Sequence, residues 1–502
     1  MIFALDRESR IPLYLQIVTQ VRRMIDRGAI KAGDRLPANR ELAKTLGVNR
    51  STVTTAYDEL AAEGLITSRV GSGTFVCGLP AVQSSNGQGE RKSLSPLPWS
   101  AMLADQQRDD EWLLGTLDPP KDTLSLDYAL PAPELFPLDD FRRSVDRVLR
   151  REARALLQLG ASEGYAPLRQ YLISHMARAG VDVEPGEMLI TDGCQQSLDL
   201  IRRILVRPGE EVVIENPTYP GAISIFCGDG SKYSSIPTGD RGLDLEILED
   251  VLAQRRPKLI YTVPSFHNPT GVTMDLESRR RLIELAARYR VPIIEDDIYR
   301  ELRYEGAALP PIKALDQYGL VIYLNSFSKI GFPGLRVGWI VAPRIVIDFL
   351  KIVKQQTDLH TGLLAQAAIA EFSREGLLIK HINRCRKAYS ERRDSLLSAL
   401  ERYFPDEATW NRPEGGMAIW VRLPESLNAT NIQLQAAERK VAFCPGERFY
   451  SCSPKVNTLR LSFTLCQPSM IEEAVKRLGM VIKSNLAGKR KQRVFMPRAA
   501  LV

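Results

Sequence analysis

Long apolar runs are missing from this 502-residue chain. None approaches the ~20 residues that carry a helix across a bilayer, so a membrane-embedded role is not expected. Metal-ligand patterns are missing too. The four histidines, His175, His267, His360 and His381, show no ligand spacing, and no metal is expected. His267 stands beside Asn268 and reads as a packed or solvated side chain. Cysteine is sparse: seven residues, odd in number, scattered and without a CxxC pair. That usage predicts reduced, mostly packed thiols of a cytoplasmic protein rather than a disulfide framework. The N-terminal stretch has acidic residues at Asp6 and Glu8 and no secretory pattern. Acidic residues run out after Glu473, while Lys483, Lys489, Arg490, Lys491, Arg493 and Arg498 follow. Such a basic end, 483–502, is expected to be a solvated, frayed tail. What is present suits a soluble globular protein: 44% hydrophobic and 25% charged residues, so a packed core is available. The net charge of +7 permits a nucleic-acid partner without requiring one.

The length implies two or three domains. Residues 1–78 carry short helical patterns followed by a Gly-rich hairpin. Residues 79–122 are rich in Ser, Gly, Gln and Pro and read as a linker, with Trp99 and Trp112 as docking points. From 123 to 482, apolar strand-like runs alternate with amphipathic helical ones. The strand-like runs include Glu211–Glu215, Lys258–Val263, Val291–Glu295 and Leu320–Leu324, and Leu276–Arg290 is helical. This alternation predicts an α/β domain with a mostly parallel central sheet. No internal repeat is visible.

In the first region, Leu42, Ala43 and Leu46 make one apolar face, and Gly47 can stop that helix at positive φ. Asn49 suits the cap of a second helix, whose inner face is Val53, Ala56, Tyr57 and Leu60. Two helices meeting at a tight Gly turn predict a helix-turn-helix. The outward residues of the second, Arg50, Ser51, Thr52, Thr54 and Thr55, are small or basic and can enter a major groove. Leu65–Val76 predicts two strands around a Gly-Ser-Gly turn, with Arg69 near the sugar-phosphate. Residues 1–78 hold 11 basic and 8 acidic residues, a modest +3 that suits one half of a DNA-binding dimer.

In the later region, Ser326–Trp339 places Lys329 after an apolar run and Arg336 in a Pro/Gly-rich turn that could aim it back. A lysine at a strand end beside another cation can have a lowered pKa and form a Schiff base with an aldehyde. Arg336 with Ser326 can hold a dianionic phosphate. An aldehyde that carries a phosphate is pyridoxal 5'-phosphate. Further segments agree. Gly193, Cys194 and Gln195 sit where a strand gives way to a helix, and amide N–H groups there bind phosphate. Tyr219 is offered to stack on a ring, and Asn268 is a donor. Asp296 ends a buried strand, where a carboxylate keeps a pyridine nitrogen protonated. Arg460 lies in Asn457–Phe463, next to a small C-terminal subdomain.

The LPxxRxLAxxLGVxRxTVxxAYxxL pattern over residues 11–77 resembles the winged helix of GntR-type bacterial regulators. By that resemblance Arg35, Arg40 and Arg50 hold phosphates or base edges. Asn49, Ser51, Thr52 and Gly71 add backbone or groove contacts. Residues 123–480 closely resemble fold-type I aminotransferases. The resemblance implies pyridoxal 5'-phosphate on Lys329, a phosphate cup at Gly193, Cys194 and Gln195, Asp296 against the ring nitrogen, Tyr299 on the ring oxygen and Arg460 on a substrate carboxylate. One position departs: Leu159 stands where many aminotransferases have a tyrosine that reaches the neighbouring subunit's phosphate. Tyr165 is the nearby residue that could stand in for it.

Joined by a linker, these two modules resemble the MocR subfamily of regulators. That implies a head-to-tail homodimer that binds a double-stranded DNA operator and senses an amino compound or pyridoxal phosphate. A working aminotransferase with an accessory DNA-binding domain is the alternative.

Overall fold

The chain divides into two units, the first ending at Gln106 and the second starting at Gln107. In this computed structural model the described residues are 5, 12–26, 30–31, 33–62, 64–69, 73–77, 122–228 and 231–495, with backbone alone at 23, 68–69 and 488–495. The expected linker, apart from Asp122, and Gly71 lie outside them. Among the described residues no helix is long and apolar enough to cross a membrane, and no group of His, Cys, Asp and Glu is placed to hold a metal.

In the first unit, helices Leu13–Asp26, Asn39–Leu46 and Arg50–Ala62 enclose a core of Ile17, Val18, Val21, Leu42, Val53, Ala56, Tyr57 and Leu60. The third helix buries the four residues that the sequence pattern assigns to its inner face. Burying a side chain such as Val53 or Leu60 contributes about 1.5–3 kcal/mol. Gly47 ends the second helix at φ 60°, where a Cβ would be strained. Strands β1 (Arg35–Leu36), β2 (Ile66–Arg69) and β3 (Gly73–Val76) form an antiparallel sheet in the order β1-β3-β2. The two-stranded wing thus gains a third strand, too short to show a periodicity of its own.

The second unit contains an eight-stranded sheet. Its strands are numbered after β4 (Leu124–Leu126), which belongs to a smaller sheet: β5 (Met188–Thr191), β6 (Glu211–Asn216), β7 (Lys232–Gly239), β8 (Gly242–Leu243), β9 (Ile260–Thr262), β10 (Ile293–Asp296), β11 (Val321–Ser326) and β12 (Gly338–Val341). The order is β5-β12-β11-β10-β9-β6-β7-β8. Strands β11, β10, β9, β6 and β7 are parallel, while β12 is antiparallel to both its neighbours and β8 to β7. Every residue of β9, β10, β11 and β12 is buried, which is why these strands read as continuous apolar runs.

Register decides what meets at the sheet's rim. Asp296 lies opposite Leu324, Ser326 opposite Gly338, and Gly338 opposite Thr191. The ends of β10, β11 and β5 therefore present Asp296, Ser326 and the Asp192–Gly193 turn along one edge. Ligands of open α/β sheets bind outside such strand ends. The smaller sheet, with β13 (Thr409–Trp410), β14 (Ala418–Arg422), β15 (Val441–Pro445) and β16 (Thr458–Ser462), has the order β13-β14-β16-β15-β4. It carries Arg460 on a central strand. The last helix, Pro468–Phe495, runs without a break past Lys483, so the basic segment expected to be frayed is helical as far as Phe495.

Candidate cofactor site and nucleic-acid interface

Lys329 follows β11 by three residues. Its Nζ donates to the Ala129 carbonyl at 2.8 Å and lies 5.8 Å from the centre of the Tyr299 ring. Burial lowers its pKa to about 8, and the next contribution is the charge of Arg460. The sequence expectation put that second cation at Arg336. Arg336 acts in the same direction but less strongly, because tertiary packing brings Arg460 in from the smaller sheet. A deprotonated amine is thus accessible near neutral pH.

Asp296 is 4% exposed. Its Oδ2 accepts from the Tyr261 hydroxyl at 3.0 Å, while Oδ1 is buried with no partner among the described residues. Burial raises its carboxyl to about 6, with Tyr261 pulling it back and Asp297 pushing it up. A buried carboxylate oxygen without a donor is costly unless a ligand supplies one, and a protonated ring nitrogen is such a donor. Its neighbour Glu295 serves the fold instead: it accepts the Ile312 and Lys313 amides at 2.7 and 2.8 Å, and burial lifts its carboxyl to about 8.

The phosphate end is built on helix Cys194–Leu205, which begins directly after Gly193. Gly193 caps it at φ 90°, and a Cβ there would lie 2.7 Å from Arg336 Nη2. Gly338 lets β12 approach as well: a Cβ on it would lie 2.8 Å from Gly193 Cα. Arg336, itself at φ 53°, donates through Nη2 to the Asp192 carbonyl at 3.0 Å. Ser326 Oγ and Ser328 Oγ are 2.8 Å apart, and Ser328 Oγ is 3.5 Å from Arg336 Nη1. Free amides at a helix start, a guanidinium and two hydroxyls suit a phosphate. The thiol of Cys194 is buried and its pKa is pushed well up by that burial. Of the cup residues, Gln195 turns its side chain elsewhere and accepts from the Tyr219 hydroxyl at 3.0 Å.

Arg460, 8% exposed, donates to Asn268 Oδ1 at 2.9 Å and to the Asp127 carbonyl at 2.8 Å, and lies over the Phe449 ring. Its Nε is buried without a partner among the described residues. Because Arg460 occupies Asn268 Oδ1, the Asn268 amide nitrogen is left as a donor. Tyr299 is 5% exposed. His267 is packed at 2% exposure, with Nδ1 2.8 Å from the Thr270 hydroxyl. Leu159 is 75% exposed. Tyr165 is spoken for: its hydroxyl donates to Glu152 at 2.7 Å. Taken together, the donor set fits a phosphorylated pyridine aldehyde. Sequence reading missed Tyr261, Ser328 and Gly338 and the carbonyls of Ala129 and Asp127. Only Ser328, one residue before Lys329, carried a local signal.

On the first unit, Arg35, Arg40, Asn49, Arg50 and Ser51 are exposed and Thr52 is half-buried. The Arg35 guanidinium lies against the backbone of Gly73 in β3. Thr54, expected to face outward, instead accepts from Asn39 Nδ2 at 3.1 Å and donates to the Arg50 carbonyl, tying the two helices together. Gly71 lies outside the described residues.

Comparison with known proteins gives two family matches. Residues 13–76 match "Bacterial regulatory proteins, gntR family", and residues 129–478 match "Aminotransferase class I and II". The chain is 32% identical to the probable rhizopine catabolism regulatory protein MocR of Rhizobium meliloti, over 94% of this chain and 94% of that protein. It is 40% identical to aromatic-amino-acid aminotransferase 1 of Thermococcus litoralis, over 73% of this chain and 89% of the relative. Among solved structures, the α-aminoadipate aminotransferase LysN of Thermus thermophilus, complexed with N-(5'-phosphopyridoxyl)-L-leucine, superposes with a TM-score of 0.73 at 39% identity, covering 78% of this chain and all of that one.

Proposed function

The chain belongs to the MocR subfamily of GntR-type regulators, a DNA-binding module joined to a class I and II aminotransferase domain, and on that premise we propose that it controls transcription in response to an amino compound or to pyridoxal 5'-phosphate itself. The observation that carries this reading is the pairing, in one chain, of an exposed recognition helix with a buried cofactor site. The similarity to a regulator over 94% of the chain supports it. The cofactor is pyridoxal 5'-phosphate. When bound, it supplies an aldehyde that takes an amine and a ring that withdraws electrons.

The chain's own residues supply the rest. Lys329 is the attachment point and, near neutral pH, a proton carrier. Asp296 holds the proton on the ring nitrogen through its free Oδ1. Asn268 donates to the ring oxygen, Tyr299 shares it, and Tyr219 covers the ring. Gly193, Cys194, Gln195, Ser326 and Arg336 hold the phosphate. Arg460 receives the effector's carboxylate, exchanging its contacts with Asn268 and Asp127 for a bidentate pair. Arg35, Arg40, Asn49, Arg50, Ser51, Thr52 and Gly71 meet the operator. Two copies, arranged head to tail in the cytoplasm, place two recognition helices on two half-sites. An effector changes their spacing only as far as it binds one arrangement better than the other.

A second reading is favoured by one observation: the site holds every group that amino-group exchange needs, as do the aminotransferases it resembles. The deciding experiment is a footprint on DNA upstream of the chain's own gene, using cofactor-loaded protein with and without candidate amines. A specific footprint that an amine alters is expected. Rapid multiple-turnover exchange between amino and 2-oxo acids, with no specific footprint, would replace the regulator by the enzyme.

A further inference from the structure

Resting on the cofactor reading above, we propose that Lys354 is a positioning residue for the cofactor phosphate, acting through Gln196 and Asp358 on the backbone that carries the cup. Lys354 lies on helix Arg344–Asp358 and is fully buried, at 0% exposure. Its Nζ is 2.6 Å from Asp358 Oδ2 and 3.3 Å from Gln196 Oε1. Gln196 Nε2 donates to the same Asp358 oxygen at 2.7 Å. Gln196 Oε1 in turn accepts the Asp192 amide at 2.8 Å, and the Asp192 carbonyl accepts Arg336 Nη2 at 3.0 Å. Three polar contacts thus lead from the buried ammonium through Gln196 and Asp192, the residue before Gly193, to the guanidinium assigned to the phosphate, and two more tie Asp358 into the chain.

Stability alone does not explain this lysine. Burying an ammonium against a partly buried carboxylate costs desolvation that apolar groups of the same size avoid, and replacing such pairs by apolar residues is often neutral or stabilising. Orientation does explain it. An amide has two nearly equivalent settings. The ammonium holds the oxygen of Gln196 toward itself and toward the Asp192 N–H, and Asp358 holds the nitrogen. Without Lys354 the amide is free to turn, Asp192 loses its anchor, and the Asp192–Gly193 turn no longer keeps Arg336 and the helix start in one arrangement. The carboxyl groups respond to the same crowding. Burial raises Asp192, whereas Asp358 is held low by Lys354 and Gln196 against its own burial.

The test compares the full chain with Lys354→Met/Asp358→Leu, which removes the buried ammonium and its partly buried counter-charge together. The readouts are affinity for pyridoxal 5'-phosphate, affinity for pyridoxal, which lacks the phosphate, and urea unfolding of the cofactor-free protein. Pyridoxal phosphate should bind about tenfold more weakly, a loss of the size expected for one misplaced charge-assisted contact. Pyridoxal affinity and cofactor-free stability should hold. Unchanged affinity for pyridoxal phosphate, or equal losses for both ligands, would overturn the role. Should the double variant fail to fold, Gln196→Leu carries the same expectation and the same risk. A wild-type chain that binds neither ligand would instead sink the cofactor reading, so the two failures are distinguishable.

Discussion

Arg50 and Lys329 are both cations at the edge of a secondary-structure element, yet their settings are opposite. Arg50 is exposed at the first position of its helix. Lys329 follows a fully buried strand, with its amine against a carbonyl and its pKa lowered by burial. Around Arg50, Asn49 and Ser51 also face water and Thr52 is half-buried. Around Lys329, Asp296, Tyr299, Ser326 and Arg460 are buried while the phosphate-side Arg336 is exposed, and Asp296 and Arg460 each keep a buried polar atom without a partner among the described residues. The contrast teaches what each unit does with charge. A module that recognises a nucleic-acid backbone needs solvated cations that exchange counterions for phosphates. A module that reacts needs groups held away from water, where protonation states are displaced and await a ligand.

The sharpest way to break this comparison is Lys329→Ala. Covalent attachment should vanish, with no adduct at this position after borohydride trapping, and the response to amines should vanish with it. DNA binding measured without an amine should stay within about twofold, because Lys329 is not among the residues assigned to the operator. A folded, dimeric variant that no longer binds DNA would show that the two settings are not independent.

Asp296→Asn comes next. Burial raises the carboxyl from the ordinary aspartate range near 3.8 to about 6 in the folded chain. Between these values the folded state holds the extra proton, so stability falls as pH rises, and above about 6 the whole penalty is present. An asparagine carries no such penalty. At pH 8 the cofactor-free variant should be about 2–3 kcal/mol more stable than the parent, with the gain gone at about pH 3, below the unfolded carboxyl's pKa. Cofactor affinity should drop, since an amide holds the ring proton poorly. Urea unfolding at the two pH values checks the sign. A variant no more stable than the parent at pH 8 would mean that Asp296 does not bear the cost assigned to its burial.

Both predictions lean on features that differ in how far the sequence showed them. Asp296, Ser326 and Lys329 were legible because buried parallel strands read as apolar runs and the chemistry stands at their ends. The inner face of helix Arg50–Ala62 was legible from its period. Tyr261 was not: its contact with Asp296 joins neighbouring strands, and nothing local marks which strand lies beside which. The cation acting on Lys329 was assigned to Arg336, close in sequence, whereas Arg460 reaches it from another sheet. Thr54 failed for a different reason. Its position on the helix pointed outward, but the turn brings Asn39 over it. Short-range pattern exposes what an element offers; which offer is taken up depends on packing between elements distant in the chain.

On the exposed side, Arg50→Ala should cost about 1–3 kcal/mol of operator affinity if its guanidinium meets a base edge, and should relax preference at that base. Pyridoxal phosphate affinity should not move. Titrating labelled operator variants at fixed salt measures both. Unchanged affinity and preference would remove Arg50 from the interface and leave the exposed face as a solvated one.

The smallest effect tests the boundary between the two settings. Leu159 is 75% exposed and Leu157 76%, so in the single chain this stretch of the second unit carries apolar side chains at its surface. The resemblance to aminotransferases places a tyrosine at position 159, reaching the phosphate of the neighbouring subunit. Tyr165 does not replace it, because Glu152 holds its hydroxyl. Leu159→Tyr should therefore add one donor to an anion, a contact worth about 0.5–1.5 kcal/mol, read as up to roughly tenfold tighter binding of pyridoxal phosphate. The gain should appear at protein concentrations where the dimer forms and disappear on dilution to monomer. A gain that persists in the monomer would place residue 159 over its own subunit's site. No gain at any concentration would mean that this exposed segment never reaches a phosphate, and the head-to-tail arrangement of the two sites would have to be given up.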